Sequence, residues 1–159
     1  MADVMKLEVV QREILTIPIE GASPLIPHKW SEKSLRMMRE SQSGSKVRAK
    51  HTAKVPEEEA EAALYRLPDG TPGMPATAFK AAMVGAARLF QGVTMTALKV
   101  SVFVRGEGPD QLVPVEGEMT IREDTPRNAT GVVDLRYRYS FWPWRASLMR
   151  AGSGGTKRE

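Results

Sequence analysis

VVDLRYRYSFW, residues 132–142, alternates side chains as a half-buried strand must. Val133, Leu135, Tyr137, Tyr139 and Phe141 fall on one face, and Asp134, Arg136, Arg138 and Ser140 on the other, because successive side chains of a strand point to opposite sides. One apolar face and one charged face describe an antiparallel sheet that is packed on one side and wet on the other. Pro143 lacks a backbone donor and is expected to end this strand, with WRASLMR (144–150) returning as a last one. AGSGGTKRE (151–159) reads as a flexible tail.

Working outward, β-type sequence dominates the C-terminal half. LKVSVFVRG (98–106) alternates, and QLVPVEGEMTIRE (111–123) reads as two short strands around Glu116-Gly117. Near the N-terminus, LEVVQREILTIPI (7–19) is a further strand, and Pro18 suits an edge or a strand end. ALYRL (63–67) is a short strand candidate.

Helical signals fall between these strands. Ser31 can cap a helix to about Ser41, with Glu32 in its first turn, Leu35 and Met38 on its apolar side, and Lys33, Arg36 and Arg39 on its basic side. Pro56 followed by Glu57, Glu58, Glu59 and Glu61 marks a short helix start. Its acids could also shield a neighbouring basic segment when no ligand is bound. DGTPGMP (69–75) supplies turn dipeptides, and Pro75 suits the first turn of a helix. Phe79, Ala82, Met83, Ala86, Ala87 and Phe90 share one face of that helix, and Gly92 ends it.

Together these elements make an α+β fold. The expectation is a ferredoxin-like or RNA-recognition-like antiparallel sheet with two main helices on one face and a basic flexible arm. Residues 1–150 form one domain, 42–56 the mobile arm and 151–159 the tail.

Composition narrows the chemistry. The chain has 159 residues and no cysteine, which excludes disulfides and thiolate metal sites. His28 and His51 are far apart, so no metal and no cofactor are expected. No apolar run reaches the length of a membrane span, and MADVMKLEVVQ lacks the apolar core of a secretory signal. The expected setting is therefore cytoplasmic, without a membrane partner.

Net charge is +4, but its distribution is uneven. From His28 to Lys54 there are eight Lys or Arg against two Glu, a local net of +6. A concentration of this kind favours a polyanionic partner.

Catalytic motifs fail on inspection. Lys80 follows Phe79 and precedes Ala81, so the Gly-Lys-Ser/Thr of a phosphate-hydrolysing loop is absent. Asp110, Glu116 and Glu118 suggest a metal-nuclease cluster, but the acid-x-lysine that would complete it is missing. No nucleophile-elbow pattern surrounds Ser31 near His28. The chain reads as a non-enzyme.

Binding signals are stronger. Arg136 and Arg138 share a strand face, and guanidinium groups both fork onto phosphate and stack on bases. Trp142, Trp144 and Arg145 follow them. Cations beside aromatics on a sheet are a common single-strand platform. The candidate nucleic-acid contacts are Lys29, Trp30, Lys33, Arg36, Arg39, Lys46, Arg48, Lys50, Lys54, Lys80, Arg136 and Arg138.

GMPATAFKAAMVGAAR (73–88) resembles a motif of the repeat-associated mysterious protein superfamily, the RNA-recognition-like subunits that form the backbone of CRISPR effector complexes. Pro75, Thr77, Phe79, Lys80, Ala82 and Arg88 carry the likeness; Ala76 stands where the motif usually has glycine. IPIEGASPLIPHKWSEK (17–33) resembles the first strand and loop of tailed-phage proteins related to this backbone fold. The resemblance implies a non-catalytic, phage-type protein that coats single-stranded DNA or RNA as repeated subunits, in the cytoplasm of an infected or lysogenic bacterial host. The alternative is a phage structural or assembly protein whose homo-oligomers form through its arm and edge strands, with protein alone.

Overall fold

The computed structural model describes residues 12–44, 54–127, 131 and 133–153. Its longest element is β6, Arg136–Ser153. Four of the other strands line up directly along it or along its neighbour. β5, Leu112–Asp124, pairs with it antiparallel over 136–146. β1, Arg12–Glu20, pairs along its other edge, from Arg12↔Ser153 to Glu20↔Arg145. β4, Val102–Arg105, takes the β5 side of β6 farther along, at 149–152. β3, Pro72–Pro75, joins β5, and β2, Tyr65–Arg66, joins β3. The result is a six-stranded antiparallel sheet in the order β1-β6-β5-β3-β2, with β4 beside β6.

Pro143 does not end the strand. The register runs Gly117↔Trp144 and then Met119↔Phe141, so Trp142 and Pro143 together oppose Glu118. This is a β-bulge, and it absorbs the residue that cannot donate to the ladder. The Trp142–Pro143 peptide is cis. The extra residue also switches the alternation. Tyr137, Tyr139 and Phe141 lie on the same face as Trp144, Ala146 and Leu148. A Cβ on Gly117 would come within 2.4 Å of the Pro143 carbonyl oxygen, so only glycine fits beside the bulge, opposite Trp144.

Other boundaries differ from the sequence reading. Residues 95–101 form helix α4, Met95–Ser101, and only Val102–Arg105 of the expected 98–106 strand is extended. The Thr94 hydroxyl accepts from the Ala97 N–H and caps that helix, and Ala97, Leu98 and Lys99 are good helix formers. Residues 112–124 are one strand; Glu116-Gly117 bends it and does not reverse it. Residues 151–153, expected in the tail, lie in β6, where Ala151 and Gly152 pair with β1 on one side and β4 on the other.

α1, Glu32–Gln42, begins where Ser31 caps it, its hydroxyl accepting from the Ser34 N–H. α2 spans Pro56–Ala62 and α3 spans Ala76–Ala86. α3 gives way at Ala87–Leu89 to a 3₁₀ turn, well before Gly92. Phe90 therefore leaves the expected apolar face and is exposed, as is Ala82. α2 and α3 pack on the sheet, whereas α1, one of the two helices expected there, touches other elements only sparsely.

Two buried clusters fill the space under these helices. Ala76 and Phe79 of α3 meet Val113, Ala146 and Leu148. Leu64, just after α2, meets Val115 and Phe141. Met74 and Trp144 border both clusters and join them. The Trp144 indole donates to the Ser23 carbonyl at 2.8 Å, which satisfies its one polar atom. Burying a side chain such as Phe141 contributes about 2–3 kcal/mol.

Among the described strands, none pairs with the outer edge of β1. The Gly21 N–H donates to the Trp144 carbonyl, which sets the phase of the β1–β6 ladder. Residues 15, 17 and 19 then turn their backbone toward β6, and Pro18 turns outward, where a missing donor costs no ladder bond.

Candidate nucleic-acid interface

The segment after β1 follows the free edge of β6. Leu25 and Phe141 exchange backbone hydrogen bonds, and the Lys29 N–H donates to the Ala63 carbonyl at the end of α2. This brings the start of α1, the 54–55 segment, α2 and the first residues of β6 around one cavity of about 900 Å³. A volume of that size suits a nucleotide-sized ligand.

Five of the sequence-predicted contacts line it: Lys29, Trp30, Lys54, Arg136 and Arg138. They come from three separate segments, as a converging site requires. Trp30 is 54% exposed, and its ring stands 5.9 Å from that of His28.

Four of the five cations that line it are held by carboxylates; Lys29 pairs with none among the described residues. Asp134 accepts from Lys54 Nζ at 3.0 Å and from Arg136 Nε at 2.8 Å. Lys54 also donates to the Leu135 carbonyl. Asp124 accepts from Arg122 Nε at 2.7 Å and from Arg138 Nη2 at 2.5 Å. Arg66 pairs with Glu61 and donates to the Gly70 carbonyl at 2.7 Å. Hydrogen bonding from Arg136 and then Lys54 holds the Asp134 carboxyl below the usual range; bonding from Arg122 and then Arg138 does the same for Asp124.

Arg138, though paired with Asp124, keeps one donor without a described partner. Its Nε is buried and meets no acceptor among the described residues. A buried donor left in that state costs about 1–3 kcal/mol. The His28 imidazole is pushed below its ordinary value by burial and by the nearby Arg138 and Arg136 charges, so it is biased to the neutral form.

The lining as a whole is charge-balanced. Lys29, Lys54, Arg66, Arg136 and Arg138 stand against Glu32, Glu58, Glu59, Glu61 and Asp134. The sequence reading names Lys29, Lys54, Arg136 and Arg138 but not Arg66, offers the Glu57–Glu61 run only as a shield for the basic segment, and leaves out Glu32, Asp134 and His28 as lining. The Glu57–Glu61 run directly after the basic segment was the available signal, and Asp134 sits two residues before Arg136.

The remaining predicted contacts lie elsewhere. Arg36 is exposed and pairs with Glu40 at 3.8 Å along α1. Arg39 is exposed in the last turn of α1, where a cation favours the helix dipole. Neither lines the cavity. Lys80 lies over the Phe103 ring, 4.3 Å from its centroid, also outside the cavity. The Lys33 side chain and Lys46, Arg48 and Lys50 lie outside the described residues.

Among the described residues no group of three or more His, Asp or Glu could hold a metal ion. No described helix is long and apolar enough to cross a membrane. The chain matches no family model, no curated protein and no solved structure.

Proposed function

We propose that this chain binds single-stranded DNA or RNA without catalysing a reaction on it. The carrying observation is that Lys29, Trp30, Lys54, Arg136 and Arg138 line one cavity although they come from three distant segments. Two further features support the reading. Trp30 offers an exposed ring on which a base can stack, worth about 1–3 kcal/mol. Arg138 brings a guanidinium to the cavity wall, a group that forks onto phosphate. Asp134 then serves as a placeholder for phosphate between Lys54 and Arg136.

Four cavity cations, Lys29, Lys54, Arg136 and Arg138, form the phosphate track. For single strands each contact contributes about −0.7 to the slope of log affinity against log salt, so the expected slope is about −3. Fluorescence anisotropy with labelled oligonucleotides over a salt series measures it. No binding at low salt defeats the proposal, and so does a slope near zero.

The finer assignments rest on this reading. The first elements run β1, α1 and α2, β2, β3, α3 and α4, β4, the chain order of a ferredoxin-like βαββαβ unit. In that view the β5–β6 hairpin is inserted into the sheet, because β1 and β4 flank β6 and β3 pairs with β5. Membership in the phage-type relatives of CRISPR backbone subunits, and residence in the host cytoplasm, follow from the resemblance of residues 17–33 and 73–88. Assembly through the β1 edge is the weaker alternative, since outward-facing Pro18 blunts it.

A further inference from the structure

The acids that line the cavity are of two kinds. Asp134 and Glu61 hold Lys54, Arg136 and Arg66 in ion pairs. Glu32, Glu58 and Glu59 pair with no described residue. Glu32 stands alone in the first turn of α1, whereas Glu58 and Glu59 stand together, both exposed, on the α2 wall. The helix dipole favours acids in a first turn, and that accounts for Glu57, Glu58 and Glu59 alike. It does not account for which of them face the cavity: Glu58 and Glu59 line it and Glu57 does not.

These two acids and the arginines occupy different walls. Arg136 and Arg138 belong to β6, Glu58 and Glu59 to α2. Trp30 is held near the α2 wall through its neighbour, because the Lys29 N–H donates to the Ala63 carbonyl at 2.8 Å. Glu59 lies one helical turn before Ala63, and its carbonyl accepts from the Ala63 N–H. One turn is about 6 Å along the axis at about 1.5 Å per residue. The exposed Trp30 ring and the two carboxylates therefore share one region of the cavity. Stacking occupies the face of a base and leaves its edge free to hydrogen-bond.

An ionised carboxylate can only accept hydrogen bonds. Among the exposed edges of the bases, guanine alone offers two donors side by side, the ring N1–H and the exocyclic amine. Cytosine and adenine each offer one amine beside a ring nitrogen that is itself an acceptor. Thymine and uracil offer one N–H between two carbonyl oxygens. We propose that Glu58 and Glu59 make the cavity selective for guanine, one carboxylate taking N1–H and an amine hydrogen, the other the remaining amine hydrogen. The inference rests on the nucleic-acid reading and narrows its ligand to strands that carry guanine. It also gives the unpaired acids a part in binding: cations hold the backbone from β6 while carboxylates read the base from α2.

The test is fluorescence anisotropy at one salt concentration. The probes are a short labelled oligothymidine and the same strand with one central guanosine, cytidine, adenosine or inosine. The guanosine strand should bind about tenfold more tightly than the thymidine strand, since a two-point base contact discriminates by about 5- to 150-fold. Inosine keeps N1–H but lacks the amine, and should lose most of that gain. Glu58→Gln with Glu59→Gln should bring the preference close to one and hold the all-thymidine strand more tightly, because two anions beside the phosphates are gone. Both positions are exposed, and circular dichroism checks that the variant folds. Equal binding of all strands, or tightest binding of a strand without guanine, overturns the guanine assignment and leaves the nucleic-acid reading standing. So does inosine that equals guanosine, or a preference that survives in the variant. A variant weakened alike toward every strand overturns it too, since the acids would then shape the cavity and read no base. Absence of binding to any strand at low salt defeats both readings.

Discussion

Replacing Asp134 by Asn should tighten binding. Most substitutions at a binding site weaken it for many reasons; a gain has few causes. Asp134 sits 3.0 Å from Lys54 Nζ and 2.8 Å from Arg136 Nε. A phosphate engaging the same two cations would lie about 6 Å from that carboxylate, one ion-pair contact beyond each cation. Two like unit charges at about 6 Å repel by about 0.7 kcal/mol in bulk water and about 1.4 kcal/mol at an effective dielectric near 40. Screening at physiological salt roughly halves this. Releasing Lys54 and Arg136 from exposed ion pairs adds about 0.5 kcal/mol, since such pairs are worth about 0.2–1 kcal/mol. The sum is about 1 kcal/mol, or about fivefold in Kd. Asn keeps the shape, and losing two exposed pairs should lower Tm by no more than about 4 °C. Anisotropy titration of both proteins at one salt concentration reads the effect. A folded Asp134→Asn variant that binds equally or more weakly refutes the idea that Asp134 stands in for phosphate.

Four other outcomes follow from the same geometry. Because the fold holds His28 below its ordinary value of 6.5, protonating it costs stability as pH falls through that region, whereas a bound phosphate favours the protonated form; affinity should rise toward acid and His28→Gln should flatten the profile. Trp30→Ala should cost about 1–3 kcal/mol of binding by removing the stacking ring, with Tm unchanged, and a smaller loss of affinity would place the base elsewhere. Asp124 is held below its ordinary value of 3.8 by Arg122 first and Arg138 second, so the stability it adds is complete above that value and is lost as pH falls through the lower folded one; urea midpoints should show a shallower acid limb for Asp124→Asn. Gly117→Ala would drive a Cβ to 2.4 Å from the Pro143 oxygen, costing about 2–3 kcal/mol and about 4–12 °C of Tm, and an unchanged melting curve would mean the bulge relaxes freely.

Side-chain alternation was a guide to the sheet because it reports which face is buried. Tyr139 and Phe141 do pack in a buried cluster, but Val133, expected on the same face, lies before the strand and is exposed, Tyr137 lines the cavity with Arg136 and Arg138, and Ser140 on the other face is buried. The same rule failed at Pro143, where a bulge replaced a strand end. The bulge depends on Gly117, far away in sequence and unremarkable until the two strands are paired. α4 was missed for a related reason. Val100, Val102 and Val104 alternate as well in a strand as they would across a helix end, and the deciding feature was the local Thr94 cap. The tail was misjudged because Ala151 and Gly152 have no strand preference of their own; β1 and β4 impose it from either side.

The site divides along a similar line. Positive charge is visible in a sequence, and five of the twelve named contacts met in one cavity. Neutralisation is not visible, because it depends on which carboxylate the fold brings alongside. Asp124 reaches Arg138 only because β5 pairs with β6 in this register, and Glu58 and Glu59 reach the cavity only because Lys29 is bonded to Ala63. A lining of five cations and five anions is a weak attractor at long range, since the opposite fields cancel beyond a Debye length. Selection must then act at contact, through forked guanidinium bonds and stacking. A protein built this way would discriminate against loose, purely electrostatic ligands. Inorganic polyphosphate, which offers charge without bases, should therefore compete poorly for the cavity against an oligonucleotide of equal charge. Equal competition would mean that charge alone is read, and that Trp30 has no part in it.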